Sequence, residues 1–262
     1  MNSKYVFFDI DGTIYDYVNG VTPSAKEAIR LLRENGHHPV LCTGRTRIMI
    51  FDEILDMGFD GIIAGAGTYI EWEGEVLKSV ELPQDELVRL VKCLSANGFA
   101  SYPEGRDWFY YDPVYIENGD DEIYRIYQLH IPDRLSPVDL TSEMHAAKVS
   151  ASYTAKSNRD AVLAEIGDDY NWADHDGVLF ETIPKGVSKG KAVLELMDHL
   201  KADIEDTYGF GDSFNDLEML QTVKYGVAMG NAKDSFKQLI PLHTEAMLEN
   251  GVYNALKRFS LI

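Results

Sequence analysis

The stretch Tyr5-Val6-Phe7-Phe8-Asp9-Ile10-Asp11-Gly12-Thr13 limits the possible folds of this chain more than any other part of it. The apolar run Tyr5 to Phe8 has the character of a strand buried on both faces. It ends in two carboxylates one residue apart. Residues two apart on an extended chain point the same way, so Asp9 and Asp11 can converge on one point. Gly12 then lets the chain turn sharply. A buried strand ending in paired acids is costly unless something compensates, and a bound divalent cation is the natural candidate. Taken alone, the same residues read equally well as a turn, which Asp and Gly favour. The choice depends on the rest of the chain.

Beyond Val21 the pattern repeats. Thr22 can cap a helix, Pro23 suits its first position, and Ala25, Ala28, Ile29, Leu31 and Leu32 form its apolar stripe. Asn35-Gly36 ends it, and His37-His38 reads as turn residues rather than a metal site. A second apolar run, Pro39 to Cys42, ends in Thr43-Gly44-Arg45, before an amphipathic segment from Ile48 to Met57 that predicts another helix. A third run, Gly61 to Ala64, ends in Gly65-Ala66-Gly67, and a hairpin follows with its turn at Glu73-Gly74. Strand, helix, strand, helix is the pattern of a parallel sheet covered by helices. In such folds ligands sit at the carboxyl ends of the strands, where Asp9, Asp11 and Thr43-Gly44-Arg45 all fall.

From about Pro83 the character of the chain changes. Pro83 to Asn97 predicts a helix, followed by a region rich in Tyr, Trp and Phe that reads as packing between a small sheet and its helices rather than as ligand stacking. Gln128–Ile131, Ala147–Ala151 and Val178–Thr182 are predicted strands, and Arg159–Ile166 a helix. This α+β segment lacks acids at strand ends and reads as a domain inserted into the first. At Pro184 the alternation of apolar strands and amphipathic helices resumes. A helix begins near Val187 with Lys189 and Lys191 in its first turn, where cations oppose the helix dipole. A lysine so placed is either held by an anion or acidic cluster or simply exposed, and the second reading is preferred for Lys191. The run Thr207–Phe210 ends in Gly211-Asp212-Ser213-Phe214-Asn215-Asp216. A last strand, Tyr225–Met229, runs into Gly230-Asn231-Ala232, and two short helices close the chain.

The chain has 262 residues, 45% of them apolar, enough for one large domain or two modest ones. Its 24 basic and 43 acidic residues give a net charge of −19, which argues against nucleic acid or an anionic membrane as partner. A phosphate-handling site in so acidic a protein needs locally placed cations. No window approaches a membrane span, and Asn2-Ser3-Lys4 leads directly into the first strand without a signal-peptide pattern. Cys42 and Cys93 have no metal or redox spacing and are expected as buried free thiols. A cytoplasmic location is the expectation.

Asp9-Ile10-Asp11-Gly12-Thr13, Thr43-Gly44-Arg45, Lys189 and Gly211-Asp212-Ser213-Phe214-Asn215-Asp216 occur in an order that resembles the haloacid dehalogenase (HAD) superfamily, in particular its Cof-type phosphatases with a type IIB cap. Ile183–Gly190, Val227–Ala232 and Glu249-Asn250-Gly251-Val252 support the likeness. One departure is Ala64-Gly65-Ala66-Gly67, where relatives usually carry Asn-Gly. The resemblance implies an α/β fold: a Rossmann-like parallel-sheet core over residues 1–82 and 184–262, with an α+β cap over 83–183 that acts as a lid and sets substrate specificity. It implies Mg2+-dependent hydrolysis of small phosphate monoesters, sugar phosphates or similar metabolites. Asp9 would be the nucleophile and Asp11 the general acid and base. Mg2+ would be held by the Asp9 carboxylate, the Asp11 backbone carbonyl and the Asp212 carboxylate. Thr43, Gly44 and Lys189 would hold the phosphate, and Asn215 and Asp216 would orient Lys189 and the metal waters, Asn215 beside the phosphate; direct ligation of the metal is the second reading for Asp216. Arg45 has two readings, a substrate contact or a structural ion pair. Arg125, Lys148, Ser150 and Arg159 are cap candidates, each read first as a surface residue. The expected partner is a small phosphorylated metabolite, with no nucleic acid and no membrane, and the protein a monomer or homodimer. The rival functions are a phosphomutase or phosphotransferase on the same core, or a non-catalytic phosphate-binding sensor.

Overall fold

A computed structural model describes residues 3–116, 122–175 and 177–262. The chain divides into two compact units, one made of Met1–Gly44, Asp52–Lys78 and Ser188–Ile262, the other of Arg45–Phe51 and Ser79–Val187.

The first unit is built on an eight-stranded sheet. The strand Tyr5–Phe8 lies at its centre, between Thr207–Gly211 and His38–Cys42, and runs parallel to both, with Phe8 level with Phe210 and with Leu41. Gly61–Ala64 continues the parallel sheet on one side, Tyr225–Ala228 and the short edge strand Leu242–His243 on the other. The hairpin Tyr69–Trp72 and Glu75–Ser79 closes the remaining edge, with Tyr69–Trp72 antiparallel to Gly61–Ala64. From the central strand the chain winds first to one side and later returns to the other. The end of Tyr5–Phe8 is therefore the topological switch point, where a crevice opens at the carboxyl ends of the strands.

Local chemistry explains most elements of this unit. Thr22 caps the helix Pro23–Glu34 by accepting from the Ala25 N–H at 3.2 Å, and Ala25, Ala28, Ile29 and Leu32 are buried. On the opposite face Val193, Leu196, Met197, Met219 and Leu220 pack against Phe7, Val40 and Ile63 of the sheet. The helix predicted from Ile48 to Met57 is a 3-10 turn, Arg47–Met49, and one helical turn, Asp52–Leu55, broken at Ile50-Phe51. The break coincides with the border between the units. Both cysteines are buried and free. Among the described residues no helix is long and apolar enough to cross a membrane.

The second unit has a six-stranded sheet in the order Leu135–Pro137, Phe109–Tyr111, Ala100–Glu104, Lys148–Ser152, Leu179–Pro184, Tyr170–His175. One face packs against the helices Gln84–Ala96 and Arg159–Ile166 through Leu87, Leu90, Leu94, Val162 and Ile166. Gln128–Ile131 is not a strand: the helix Glu122–His130 extends through most of it. Its Tyr127 is buried against Phe109, with ring centroids 4.6 Å apart, and against Phe51 at 6.0 Å, while His130 stacks on Phe51 at 3.8 Å. Phe51, Phe109 and Tyr127 are thus packing groups.

Lys148 and Ser150 are not surface residues: they are 1% and 4% exposed. Pairing Lys148 with Glu104 and Ser150 with Glu181 across neighbouring strands puts all four on one face of the sheet. Lys148 Nζ lies 2.5 Å from Glu181 and 3.5 Å from Glu104, whose two oxygens accept from Ser150 Oγ and from Thr46 Oγ1. Burial alone would lower the Lys148 pKa, but the two glutamates outweigh it and the net shift is upward. Burial pushes the Glu104 carboxyl above 4.5, with Glu181 adding to the rise and Lys148 opposing it. By contrast, Arg159 is partly exposed and paired with Asp174 at 2.8 Å.

Lys148→Met removes the cation beside the fully buried Glu104 and should destabilise the protein by about 3–5 kcal/mol at pH 7.5. A carboxyl whose folded pKa is raised costs stability above its unfolded value of 4.5, and that cost disappears on acidification. The deficit relative to wild type should therefore shrink between pH 7.5 and pH 5 in urea titrations. A deficit that grows with acid would contradict the account.

Candidate active site

Asp9 directly follows the central strand and is 4% exposed, with its N–H donating to the Phe210 carbonyl at 3.0 Å. The neighbouring strand Thr207–Gly211 delivers Asp212 to the same end of the sheet. Lys189 is the first residue of the helix Lys189–Leu200, which Ser188 caps by accepting from the Lys191 N–H. Its position against the helix dipole has a local explanation. Nζ donates to Asp9 at 2.7 Å and to Asp216 at 2.5 Å, and the side chain is buried. Lys191 is exposed.

Asp216 is fully buried, and both its oxygens are engaged. One accepts from Lys189, the other from the backbone N–H groups of Asp212 at 3.0 Å and Ser213 at 3.1 Å. A single carboxylate thus orders the whole turn after the strand. Asp9, Asp212 and Asp216 each offer an oxygen, all within 4.8 Å of one another. Burial is the largest influence raising the Asp9 pKa well above its usual range, followed by Asp216; Lys189 opposes them, and Asp11 and Asp212 add to the rise. Burial also lifts Asp212 to about 7, with Asp216 and Asp11 adding and Lys189 opposing. Burial would lower the Lys189 pKa, but Asp216 and Asp9 more than reverse it. Among the described residues, the three clustered carboxylates Asp9, Asp212 and Asp216 thus share one buried ammonium. An all-oxygen set of this kind suits a hard divalent cation.

Asp11 is half-buried, close enough for its charge to act on both Asp9 and Asp212. Thr43, 1% exposed, follows the strand on the other side of Tyr5–Phe8; its N–H donates to Ile63 and its carbonyl accepts from Ala66. Ala66, in the stretch that replaces Asn-Gly, has φ of 55°. A Cβ on Gly44 would meet Asn215 Nδ2 at 3.6 Å, so Asn215 adjoins the Thr43-Gly44 turn, with its Oδ1 accepting from Ser213 Oγ at 2.7 Å. Arg45 groups with the second unit. Its guanidinium lies 4.6 Å from the Phe51 ring centroid and donates to the Met49 carbonyl at 3.2 Å.

Sequence reasoning assigned no role to Asn231, yet its amide reaches both the Gly12 carbonyl and the Asp212 carboxylate. The available signal was its place: it follows a parallel strand, as Asp9, Thr43 and Asp212 do.

Gly12 is required twice over. Its φ is +76°, and a Cβ would lie 2.1 Å from Asp212 Oδ2. Gly36 has a similar φ of +79° but nothing within 4 Å. Gly36→Ala should therefore lose only the backbone contribution, about 1 kcal/mol, and Gly12→Ala more, about 2–3 kcal/mol. Urea denaturation of the two variants measures the difference, and equal losses would show that the Asp212 carboxylate yields freely.

The family described as haloacid dehalogenase-like hydrolase matches residues 6–256. The HMP-PP phosphatase of Yersinia enterocolitica serotype O:8 / biotype 1B is 29% identical over 240 residues, covering 89% of this chain and 86% of that protein. The pyridoxal phosphate phosphatase YbhA of Escherichia coli K12 is 26% identical over 256 residues, covering 90% of this chain and 91% of that protein. The structure of the HAD subclass IIB sugar phosphatase BT4131 is 25% identical, with a TM-score of 0.83 over 99% of this chain and 100% of that chain. The family match runs through both compact units, and the fold agrees from end to end. The chain belongs to the haloacid dehalogenase-like hydrolases, in their Cof-type phosphatase branch, and is a phosphoric monoester hydrolase.

Proposed function

We propose that the protein hydrolyses small phosphate monoesters in a Mg2+-dependent reaction through an aspartyl-phosphate on Asp9. The observation that carries this reading is the salt-bridged pair at the switch point. Lys189 holds Asp9 at 2.7 Å, among carboxylates whose charge one ammonium does not balance. An aspartate pushed towards protonation is a poor nucleophile, and added positive charge restores its anionic form. The Asp9 carboxylate, the Asp11 backbone carbonyl and the Asp212 carboxylate would hold the ion. When bound, Mg2+ supplies the positive charge that screens nucleophile from substrate and keeps the carboxylates ionised.

An Asp9 oxygen attacks phosphorus in line, forming the Asp9 acyl phosphate, a mixed anhydride, as the bond to the leaving oxygen breaks. Asp11 gives its proton to the departing alcohol, then takes a proton from the water that attacks phosphorus. That second attack breaks the bond to Asp9 and releases inorganic phosphate. Thr43, the Gly44 backbone and Lys189 hold the phosphoryl oxygens, with Asn215 beside them and Asp216 keeping Lys189 in place. The inserted segment 83–183 carries the groups that recognise the leaving alcohol. Support for a small metabolite as substrate comes from relatives whose names specify HMP-PP, pyridoxal phosphate and sugar phosphates.

Phosphate release across a panel of small phosphomonoesters, with Mg2+ or with EDTA, tests the reading. Chelation should abolish turnover, and Asp9→Asn should lower it by about 10⁴-fold or more. Asp11→Asn should still bind substrate but lose about 10²–10⁴-fold in turnover, with phosphoenzyme accumulating where the second step is the slower. Hydrolysis that survives in Asp9→Asn, or that ignores EDTA, would overturn the mechanism. Transfer of phosphate to an added sugar hydroxyl in place of its release would reassign the protein as a transferase.

A further inference from the structure

Two stretches of the sequence, Val227–Ala232 and Glu249-Asn250-Gly251-Val252, have no part in the chemistry above. In the structure the loop 244–251, which leads into the second, seats against the first, and Met247 of that loop donates its N–H to Asn231. Asn231 is exposed, and water could satisfy its amide, yet it is bonded to three separate parts of the chain. Nδ2 donates to the Gly12 carbonyl at 2.9 Å and, at the longer distance of 3.3 Å, to Asp212 Oδ2. Oδ1 accepts from the Met247 N–H at 2.9 Å. This orientation of the amide is the one that chemistry permits, because the reverse would set an oxygen against two acceptors. We propose that Asn231 is a positioning residue that fixes the rotation of the Asp212 carboxylate and the place of the Gly12 turn, braced from behind by the loop 244–251.

The brace is built for close approach. The Gly230 N–H donates to Glu245 O at 3.1 Å, the Gly251 N–H to Ala246 O at 3.1 Å, and Thr244 Oγ1 to Gly251 O at 2.6 Å. A Cβ on Gly230 would lie 2.5 Å from Ala246 N, and one on Gly251 would lie 2.1 Å from Glu245 O. The C-terminal loop therefore seats against the Gly230-Asn231 turn with no room for side chains, and Met247 opens its 3-10 turn with the N–H that Asn231 receives. On the other side, the space left by the absent Gly12 side chain is filled by Asp212 Oδ2, the oxygen that Asn231 approaches. That oxygen is confined from two directions. A carboxylate so confined has little freedom to turn away from a cation, and such outer partners set the affinity of metal ligands.

The inference rests on the metal-dependent reading of the same site, so its test must separate the two. Mg2+ alone is titrated calorimetrically into the metal-free protein for wild type, Asn231→Ala, Thr244→Val and Asp212→Asn, with thermal unfolding of each metal-free variant alongside. Asn231→Ala should weaken Mg2+ binding by about tenfold or more, and at saturating Mg2+ its KM for p-nitrophenyl phosphate should stay within about twofold of wild type, the expectation for a residue that acts through the metal ligand alone. Thr244→Val loosens the brace without touching the amide. It should lower the unfolding midpoint and leave Mg2+ affinity near wild type. Unchanged Mg2+ affinity in Asn231→Ala would overturn the positioning role, as would an equal loss in Thr244→Val, which would trace the effect to the loop as a whole. Asp212→Asn is the control: if it binds Mg2+ as wild type does, the metal assignment itself fails, and the positioning role with it.

Discussion

The first unit depends on a buried ammonium between two carboxylates. Lys189 has no compensation from water, and its helix dipole works against it. It is stable there because Asp9 and Asp216 lie at 2.7 and 2.5 Å. The interaction is reciprocal, since Asp9 and Asp216 are also out of water and a buried carboxylate needs a partner. One ion cluster therefore ties the central strand, the helix Lys189–Leu200 and the turn after Thr207–Gly211 into a single arrangement. The charge it leaves unbalanced is what a phosphatase of this family can use for a divalent cation. In a chain of net charge −19, Lys189 is a buried cation at the carboxyl ends of the parallel strands.

The second unit repeats the motif for another purpose. Lys148 between Glu104 and Glu181 is as deeply buried as Lys189, but it sits within a sheet face rather than at a strand end. Through Thr46 the same cluster reaches the segment that follows Thr43-Gly44 in sequence, and Phe51 in that segment stacks on His130. Arg45 lies against the Phe51 ring in this packing. Its place follows from aromatic contacts made by residues some 80 positions away.

Where the local sequence pattern and the structure part, aromatic packing is the cause in two places and a sheet edge in a third. Ile48 to Met57 shows helical periodicity, but Phe51 is drawn into aromatic packing with the second unit, and the helix breaks there. Gln128–Ile131 is too short for periodicity to separate strand from helix, and burial of Tyr127 decides for the helix. The strand Tyr170–His175 is hard to read from its residues because it is a sheet edge, paired with Leu179–Pro184 alone. Its polar residues carry little apolar signal.

What the sequence determined by itself is the chemistry at strand ends. Short apolar runs closing in Asp9 and Asp11, in Thr43-Gly44 and in Gly211-Asp212 announce a parallel sheet with polar and acidic groups at its rim, because strand burial and turn chemistry are local properties. The tertiary structure alone decided which groups share a proton or a charge. That Lys189 joins Asp9 to Asp216, that Lys148 is buried and not exposed, and that Asn231 reaches Gly12 and Asp212 all depend on chain segments brought together from 19 to 219 residues apart. The opening pair of acids reads equally well as a turn from its own residues, and only the motifs further along the chain mark it as a candidate site. Its electrostatics belong to the fold, because charge acts through space and not along the chain.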